Sequence, residues 1–226
     1  MNHNKLKIIS LNVKGMNKEQ KRRKLIKWLH QEHYDIILLQ ETKCPNQQIA
    51  NKWIFGQHFQ SIWSCSGTAS SGSAILIRED LQIPDVRFSE KGGRLTKIEF
   101  IWENQRFVIA SVYAPATPRE RGTFLREMTD FVSIDDNEND ENEDNGDEPM
   151  YLIGGDWNFV EDLNLDKFGG NPAMGTFGAQ QIAEVKLKLN LEDPWRRRNP
   201  LAKVFTWCGN TQAGKYFLIM DLLKSL

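Results

Sequence analysis

YLIGGDWN, residues 151–158, is an apolar run that stops at two glycines and continues into a carboxylate and a carboxamide. Asp156 and Asn158 stand at positions i and i+2, and on an extended backbone such side chains point to the same side. We therefore expect both to project from the end of a buried strand. A carboxylate that accepts a proton, beside a neutral amide, suits phosphate-ester hydrolysis. A plain strand ending in a Gly-Gly-Asp turn is the structural alternative, because both residue types are common in turns.

Three further apolar runs also end in a polar side chain. Asn12 ends the run 6–12, Glu41 follows the run 36–40, and Tyr113 follows the run 107–112. In open α/β sheets, ligands bind outside the carboxyl ends of the strands. Strands that end in this way can gather their polar groups at one edge of a sheet, and four such ends are less expected by chance than one. The four strand ends are therefore the candidate site.

The residue types at these ends are those that phosphodiester hydrolysis requires. Mg²⁺ prefers hard oxygen ligands and keeps most of its waters, so Glu41 is the natural ligand. Asp156 can orient and deprotonate a water, and Tyr113 can donate a hydrogen bond to the developing negative charge. Asn12 and Asn158 can hold phosphate oxygens or position Asp156. Three of these residues also have a local structural explanation. Asn12 can be a turn former, Glu41 a solvated helix start, and Tyr113 a core aromatic that contacts water.

Hydrophobic periodicity divides the chain into helices and strands. Helices are predicted at 21–33, 45–53, 118–132 and 178–189. Asn17 is the expected N-cap of the first, and Thr117–Glu120 forms a capping box with Pro118 at N1. Strands are predicted at 6–12, 36–40, 61–65, 73–78, 82–88, 95–102, 106–113, 151–153, 204–207 and 215–220. This order favours an α/β fold with two stacked sheets covered by helices on both sides.

Composition narrows the class of protein. The chain has 226 residues, of which 40% are hydrophobic, enough for one sizeable domain or two small ones. Cys44, Cys65 and Cys208 lie far apart without a CxxC pair, which indicates a reducing compartment. No secretory signal or membrane-spanning apolar run is present in the sequence. We expect an intracellular protein, nuclear or cytoplasmic, that is neither secreted nor bound to a membrane.

An acidic insertion conceals a basic body. Residues 133–149 hold nine acids and no Lys or Arg, and we expect them to be disordered because nothing there can fill a core. Without those nine, the 30 acidic residues fall to 21 against 29 basic residues, a net charge of +8. A basic body favours a polyanionic partner such as DNA. Lys21, Arg22, Arg23 and Lys24 are candidate phosphate contacts, although a solvated helix face explains them equally simply.

The successive motifs resemble those of a known enzyme family. They are KIISLNV at 7–13, DIILLQETK at 35–43, SGSAILI at 71–77, SVYAP at 111–115 and GGDWN at 154–158. In this order they are similar to the endonuclease/exonuclease/phosphatase superfamily. The QETK and VFTW segments resemble most closely the apurinic-endonuclease-like domain of LINE-type (non-LTR) retrotransposons. The resemblance covers nearly the whole chain apart from the acidic insertion.

This resemblance implies a DNase I-like, four-layered α/β sandwich formed by residues 1–226 as one domain, and a Mg²⁺-dependent phosphodiesterase that nicks DNA, with Mn²⁺ as an alternative ion. It implies that Glu41 binds the metal, and that Asp156 and Asn158 serve the attacking water and the scissile phosphate. Asn12 and Tyr113 would support them. Thr206 matches a position near the DNA-binding surface. In retrotransposons the nick primes reverse transcription, so a reverse transcriptase encoded downstream is a further expectation.

The family pattern breaks near the carboxyl terminus. Lys215 stands where the family has an acid, and the final Ser-Asp-His motif with its strand is not found before Leu226. His30 and His33 are spaced like a metal pair, but the sequence offers no evident third ligand. Three hypotheses stay open: an active nicking enzyme, a non-catalytic retroelement remnant that at most binds nucleic acid or Mg²⁺, and a phosphatase for a small phosphoester. The sequence does not indicate an oligomeric state.

Overall fold

A computed structural model describes residues 6–53, 55, 58–67, 71–133, 149–169 and 178–205, with the backbone of 207–211 and 214–218. The chain divides into two compact units. The first comprises Met1–Tyr113 and Ile153–Asp156, and the second comprises Ala114–Leu152 and Trp157–Leu226. A single domain over residues 1–226 stays a prediction. All of the acidic insertion at 133–149 except its two end residues lies outside the described part of the chain.

The first unit contains most of the strands. Its elements are β1 (Ile8–Asn12), α1 (Glu19–Glu32), β2 (Ile36–Gln40), α2 (Gln47–Asn51), β3 (Phe59–Ser64), β4 (Ser73–Arg78), a 3-10 turn (Glu79–Leu81), β5 (Arg87–Lys91), β6 (Leu95–Trp102) and β7 (Gln105–Tyr113). Strand β8 (Met150–Asp156) contributes its last four residues to this unit. The second unit contains α3 (Pro118–Val132), α4 (Ala179–Lys188), α5 (Pro194–Arg198), β9 (Trp207–Thr211) and β10 (Gly214–Leu218).

Two four-stranded sheets organise the first unit, with strand orders β1-β2-β4-β3 and β5-β6-β7-β8. Strands β1 and β2 are parallel, with Asn12 opposite Gln40, whereas β4 pairs antiparallel with both β2 and β3. Because parallel strands end at the same edge, Asn12 and the residue after Gln40 lie side by side. This register positions Glu41 beside Asn12.

Alternate residues of β2 face two different layers. Ile37 and Leu39 belong to a buried cluster with Ile26 and Leu29 of α1, so this helix covers the outer face of the first sheet. Gln40 points the other way and donates its amide Nε2 to the Ser111 hydroxyl of β7 at 3.0 Å. The strand is therefore buried on both faces, which explains its continuous apolar run.

Hydrogen bonds as well as apolar contacts join the two sheets. The Ser73 and Thr96 hydroxyls lie 2.8 Å apart, and the Ser111 hydroxyl donates to the Leu39 carbonyl at 3.2 Å. These polar side chains are buried and have partners, as a stable interior requires. Hydrogen bonds of defined geometry set the register of one sheet on the other more narrowly than apolar packing does.

In the second unit, α3 packs against α4. Gly178 precedes α4 with φ +110°, and a Cβ there would lie 3.3 Å from both Leu125 and Phe159. The left-handed backbone therefore favours glycine, and any Cβ would also press on these two side chains. Lys186 of α4 binds the Glu161 carboxylate at 2.5 Å, which joins the helix to the segment after β8.

The structure confirms the α/β class and corrects several local predictions. Helix α1 begins after Lys18, not Asn17, because the first helical backbone hydrogen bonds run from the Lys21 and Arg22 N–H groups to the Lys18 carbonyl. Thr117 precedes α3 without a side-chain cap, although Pro118 does occupy the first turn. The predicted strand at 82–88 is wrong: Gln82 and Asp85 have left-handed φ values of 48° and 49°, which interrupt an extended run, and β5 starts only at Arg87.

Candidate active site

Four polar side chains lie at the ends of strands within the first unit. Asn12 ends β1, Tyr113 ends β7, Asp156 ends β8, and Glu41 directly follows β2. Each is partly buried, so its position is set by packing while part of it stays accessible to solvent. The apolar strand bodies hold these residues, and their polar ends face a common edge.

A direct hydrogen bond joins two of the predicted residues. The Asn12 amide Nδ2 donates to Asp156 Oδ2 at 2.6 Å. The orientation of this amide is determined, because its oxygen accepts from the Lys14 backbone N–H at 2.9 Å and its nitrogen must then face the carboxylate. This neutral amide donor holds the Asp156 carboxylate in one orientation.

Glu41 lies in a loop that backbone hydrogen bonds hold on both sides. Gly15 N–H donates to the Glu41 carbonyl at 2.7 Å, and Thr42 N–H donates to the Gly72 carbonyl at 3.1 Å. Glu41 itself has a left-handed φ of 53°, which is uncommon for a residue other than glycine. Such strain persists where the surroundings impose it, often at functional sites. Glu41 is thus a fixed loop carboxylate and not a solvated helix start.

The surroundings of Tyr113 alter the pKa of its phenol. Burial raises the pKa of its phenol, the nearby charges of Glu41 and Asp156 raise it further, and Arg94 opposes them. The Arg94 guanidinium lies 5.2 Å from the centre of the Tyr113 ring and donates to the Tyr113 carbonyl at 3.2 Å. The phenol therefore stays protonated at neutral pH and can donate a hydrogen bond.

Replacing Tyr113 with Phe should change how stability depends on pH in alkaline solution. Above the ordinary phenol pKa of about 10, the unfolded chain loses the Tyr113 proton while the folded chain retains it, so the free energy of unfolding falls as pH rises. Tyr113→Phe removes this contribution. Urea denaturation below and above about pH 10 measures it. An equally steep alkaline loss in the variant would contradict the raised pKa.

Two glycines allow β8 to approach its neighbours closely. A Cβ on Gly155 would lie 1.9 Å from the Val112 carbonyl oxygen, and one on Gly154 would lie 2.9 Å from Leu38 Cδ1. Contacts this short do not occur between real atoms, so only glycine fits at Gly155. The strand continues through both glycines to Asp156 and does not stop before them. The Gly-Gly pair thus sets where Asp156 lies.

The expected orientation of Asn158 is wrong. Strand β8 ends at Asp156, and Asn158 has a left-handed φ of 57°, so the rule for alternating side chains on an extended backbone does not apply. Within the second unit, the Asn158 amide donates to the Ala114 carbonyl at 2.8 Å. Asn158 therefore ties the turn after Asp156 to the segment that follows Tyr113.

The other candidates from the sequence are Thr206, Lys215 and the basic residues of α1. Thr206 lies outside the described residues, and of Lys215 only the backbone is described, opposite Asn210. Among the described residues, no group of three His, Cys, Asp or Glu side chains is arranged to hold a metal ion, and no helix is long and apolar enough to cross a membrane. Lys21 and Arg22 donate to backbone carbonyls of residues 13–17, which favours a structural role for this basic face.

Sequence reasoning did not identify two cations at the site. Lys43 forms an ion pair with Glu41, and Arg94 contacts Tyr113. Lys43 is part of the QETK motif, so its spacing from Glu41 was an available signal. Arg94 follows the Gly92-Gly93 turn between β5 and β6, and nothing in its local sequence relates it to Tyr113.

The model of the endonuclease/exonuclease/phosphatase family matches residues 9–209, which include all four strand ends. The chain belongs to this family. Solved endonuclease/exonuclease/phosphatase folds align with nearly all of it. The AP endonuclease LMAP from Leishmania major has a TM-score of 0.74 at 17% identity, over 96% of this chain and 79% of that one.

Two further solved structures share this fold. The endonuclease domain of TRAS1, a telomere-specific non-LTR retrotransposon, has a TM-score of 0.58 at 13% identity, over 96% of this chain and 84% of that one. A variant of the 3′ phosphatase NExo from Neisseria, bound to a product DNA hairpin, has a TM-score of 0.61 at 19% identity, over 95% of this chain and 86% of that one. The predicted DNase I-like α/β sandwich and the resemblance to retrotransposon endonucleases are confirmed.

Proposed function

We propose that this chain is a Mg²⁺-dependent DNA endonuclease of retrotransposon origin that nicks one strand by phosphodiester hydrolysis. The observation that carries this proposal is the Asn12–Asp156 hydrogen bond of 2.6 Å at the edge where Glu41 and Tyr113 also lie. An oriented carboxylate base, a second carboxylate and a neutral phenol are the groups that in-line attack of water on a phosphate requires.

The residues present fit a divalent ion. Glu41 is a partly buried carboxylate, and both Glu41 and Asp156 raise the pKa of Tyr113, which reflects negative charge concentrated at this edge. Mg²⁺ is held by one or two carboxylates and keeps several waters, so a cluster of three side chains is not required. Mn²⁺ has the same preference for oxygen ligands. We assign Glu41 as the ligand; when bound, the ion supplies charge that neutralises phosphate oxygens.

We assign the remaining steps of hydrolysis to side chains of the chain itself. Asp156 accepts the proton of the attacking water, and Asn12 holds the carboxylate in one orientation. Tyr113 donates its phenolic hydrogen to a phosphate oxygen as negative charge develops there. Asn158, fixed in the turn after Asp156, is the candidate amide contact to the phosphate. Thr206 is the candidate contact to DNA, as its matching position in the family suggests.

Two observations favour DNA as the substrate: the net charge of the chain without its acidic insertion and the ligands of proteins that share its fold. The chain without its nine-acid insertion carries a net charge of +8, which favours a polyanion. TDP2 from D. rerio, which shares the fold with a TM-score of 0.58, was solved with a single-strand DNA product. The QETK and VFTW segments support retrotransposon origin. A small phosphoester lacks the length needed to use a basic surface.

A plasmid-nicking assay tests the proposal. Wild type should convert supercoiled plasmid to the open circle only when Mg²⁺ or Mn²⁺ is present. Glu41→Gln should slow nicking at limiting Mg²⁺ by about 10–100-fold, because an amide is a poorer ligand than a carboxylate. Excess Mg²⁺ should recover part of the loss. Glu103→Gln, which neutralises an exposed glutamate in the β6–β7 turn, is the matched control and should behave as wild type.

The other hypotheses are outcomes of the same assay. DNA binding without Mg²⁺-dependent nicking would leave a non-catalytic remnant and refute the enzyme. Rapid hydrolysis of a soluble phosphomonoester, with no nicking of plasmid, would instead indicate a phosphatase. Equal nicking by wild type and Glu41→Gln at every Mg²⁺ concentration would remove Glu41 from the metal site.

A further inference from the structure

Lys43 forms an ion pair with the proposed metal ligand. Its ammonium Nζ lies 3.0 Å from Glu41 Oε1, and the two side chains are 33% and 21% exposed. An ion pair on an open surface contributes little because two mobile side chains must be ordered and salt screens their charges. This pair differs in that both residues belong to the same loop, whose backbone is held on both sides.

The methylene groups of Lys43 are positioned by neighbouring residues, as its ammonium is by Glu41. A Cβ on Gly15 would lie 3.0 Å from Lys43 Cδ, so the lysine methylenes run directly across this glycine. The Lys43 backbone N–H donates to the Ser71 carbonyl at 2.8 Å, and its φ of 55° is left-handed. The chain therefore directs the ammonium onto Glu41 with little further loss of conformational freedom.

We propose that Lys43 is an internal cation that occupies Glu41 in the absence of metal and competes with the divalent ion for it. This inference rests on the proposed function of Glu41 as the metal ligand. A hydrated divalent ion and an ammonium cannot both use the same carboxylate face, so binding of the ion releases Lys43. The lysine thus neutralises Glu41 in the metal-free protein and lowers the affinity for metal.

Lys43→Met should bind metal more tightly than wild type. Methionine keeps an unbranched apolar stem over Gly15 but removes the competing charge, so we expect the dissociation constant for Mn²⁺ to fall by about fivefold to tenfold at low salt, and by less at high salt. Electron paramagnetic resonance of free Mn²⁺ measures it, and calorimetry with Mg²⁺ provides a second measurement. Lys43→Arg keeps the charge and should remain within about twofold of wild type.

Lys14→Met is the matched control. Lys14 is also exposed near the site and follows Asn12 by two residues, but its contacts with Asn12 and Lys21 are made through its backbone N–H and carbonyl. Removing the charge of Lys14 changes the electrostatic potential near the site but leaves the ion pair between Lys43 and Glu41 in place. An equal gain in affinity in Lys14→Met and Lys43→Met would overturn the proposal, because general charge then explains both.

The release of Lys43 has a readout independent of affinity. Brief acetylation followed by mass spectrometry reports how accessible each lysine is, and Mg²⁺ should raise the labelling of Lys43 severalfold in wild type. In Glu41→Ala, Lys43 should be labelled strongly without Mg²⁺ and unchanged by it. Labelling of Lys43 that Mg²⁺ does not alter in wild type would overturn the proposal.

The two proposals fail in different ways. If wild type and Glu41→Ala bind Mn²⁺ equally, Glu41 is not the ligand, and both the metal assignment and the lysine's role are refuted. If Glu41→Ala loses binding while Lys43→Met binds no more tightly than wild type, only the competition is refuted. Tighter binding by Lys43→Met together with loss in Glu41→Ala supports both.

Discussion

Asp156→Asn is expected to lower the rate of DNA nicking by about 10²–10⁴-fold, the usual contribution of a general base. Asparagine has the same shape and can still accept the hydrogen bond that Asn12 donates at 2.6 Å, so the fold should be unchanged. What it cannot do is take the proton of the attacking water. The loss should therefore appear in kcat, whereas the affinity for DNA stays close to that of wild type or increases slightly as negative charge is removed.

The measurement is single-turnover nicking of a supercoiled plasmid at saturating Mg²⁺, with DNA affinity measured separately in Ca²⁺. Asp85→Asn is the control: Asp85 is exposed, and its φ of 49° suits asparagine, so this variant should nick as wild type does. Comparable thermal unfolding of all three proteins establishes that the fold is intact. Nicking by Asp156→Asn within about threefold of wild type would exclude Asp156 as the base.

Gly155→Ala should give the largest loss of stability. The added Cβ would lie 1.9 Å from the Val112 carbonyl oxygen and 2.7 Å from its carbonyl carbon, and both atoms belong to the backbone of β7. A backbone inside a sheet cannot move aside as a flexible side chain does. We expect the free energy of unfolding to fall by about 3 kcal/mol or more, at the upper end of the cost of overpacking.

Gly122→Ala makes the same chemical change where the structure accepts it. Gly122 lies within α3, and a Cβ there would meet Gln181 Cδ at 3.8 Å, an ordinary contact. Because alanine is more favourable than glycine in a helix, this change should raise the free energy of unfolding by about 0.5–1 kcal/mol. Urea denaturation of the two variants should thus give changes of opposite sign. A Gly155→Ala protein within about 0.5 kcal/mol of wild type would refute the close approach of β8 to β7.

The sequence indicated which polar residues stand at strand ends, because a short apolar run and its last residue carry that information. Asn12 and Tyr113 end the strands that the pattern assigned, and Glu41 follows its strand directly. Asp156 ends β8, which continues beyond the predicted strand at 151–153. The orientation of Asn158 was not predictable in the same way, because one left-handed residue after the strand redirects its side chain. Lys43 lay within the same motif as Glu41, but only the loop geometry shows that its ammonium reaches the carboxylate.

The exact position of β5 and the contact between Arg94 and Tyr113 were not predictable from local sequence patterns. The predicted strand at 82–88 had a suitable composition, yet left-handed residues at Gln82 and Asp85 and the pairing of β5 with β6 moved the strand to Arg87–Lys91. Arg94 reaches Tyr113 only because β6 and β7 are neighbours in the sheet, with Leu95 opposite Val112.

By itself the sequence determined the family, the α/β class and the polar residue at each strand end, because hydrophobic runs of strand length and their boundaries are local properties of the chain. The tertiary structure alone decided which of these side chains form hydrogen bonds and how the pKa of Tyr113 is shifted. Asn12 and Asp156 are 144 residues apart. Their hydrogen bond exists because β8 lies close to β7 at Gly155 and close to β2 of the other sheet at Gly154, where larger residues would clash. Tyr113 has a raised pKa because that packing buries it beside two carboxylates. Burial, charge proximity and hydrogen-bond geometry depend on distances in space, and those distances arise only when the strands assemble.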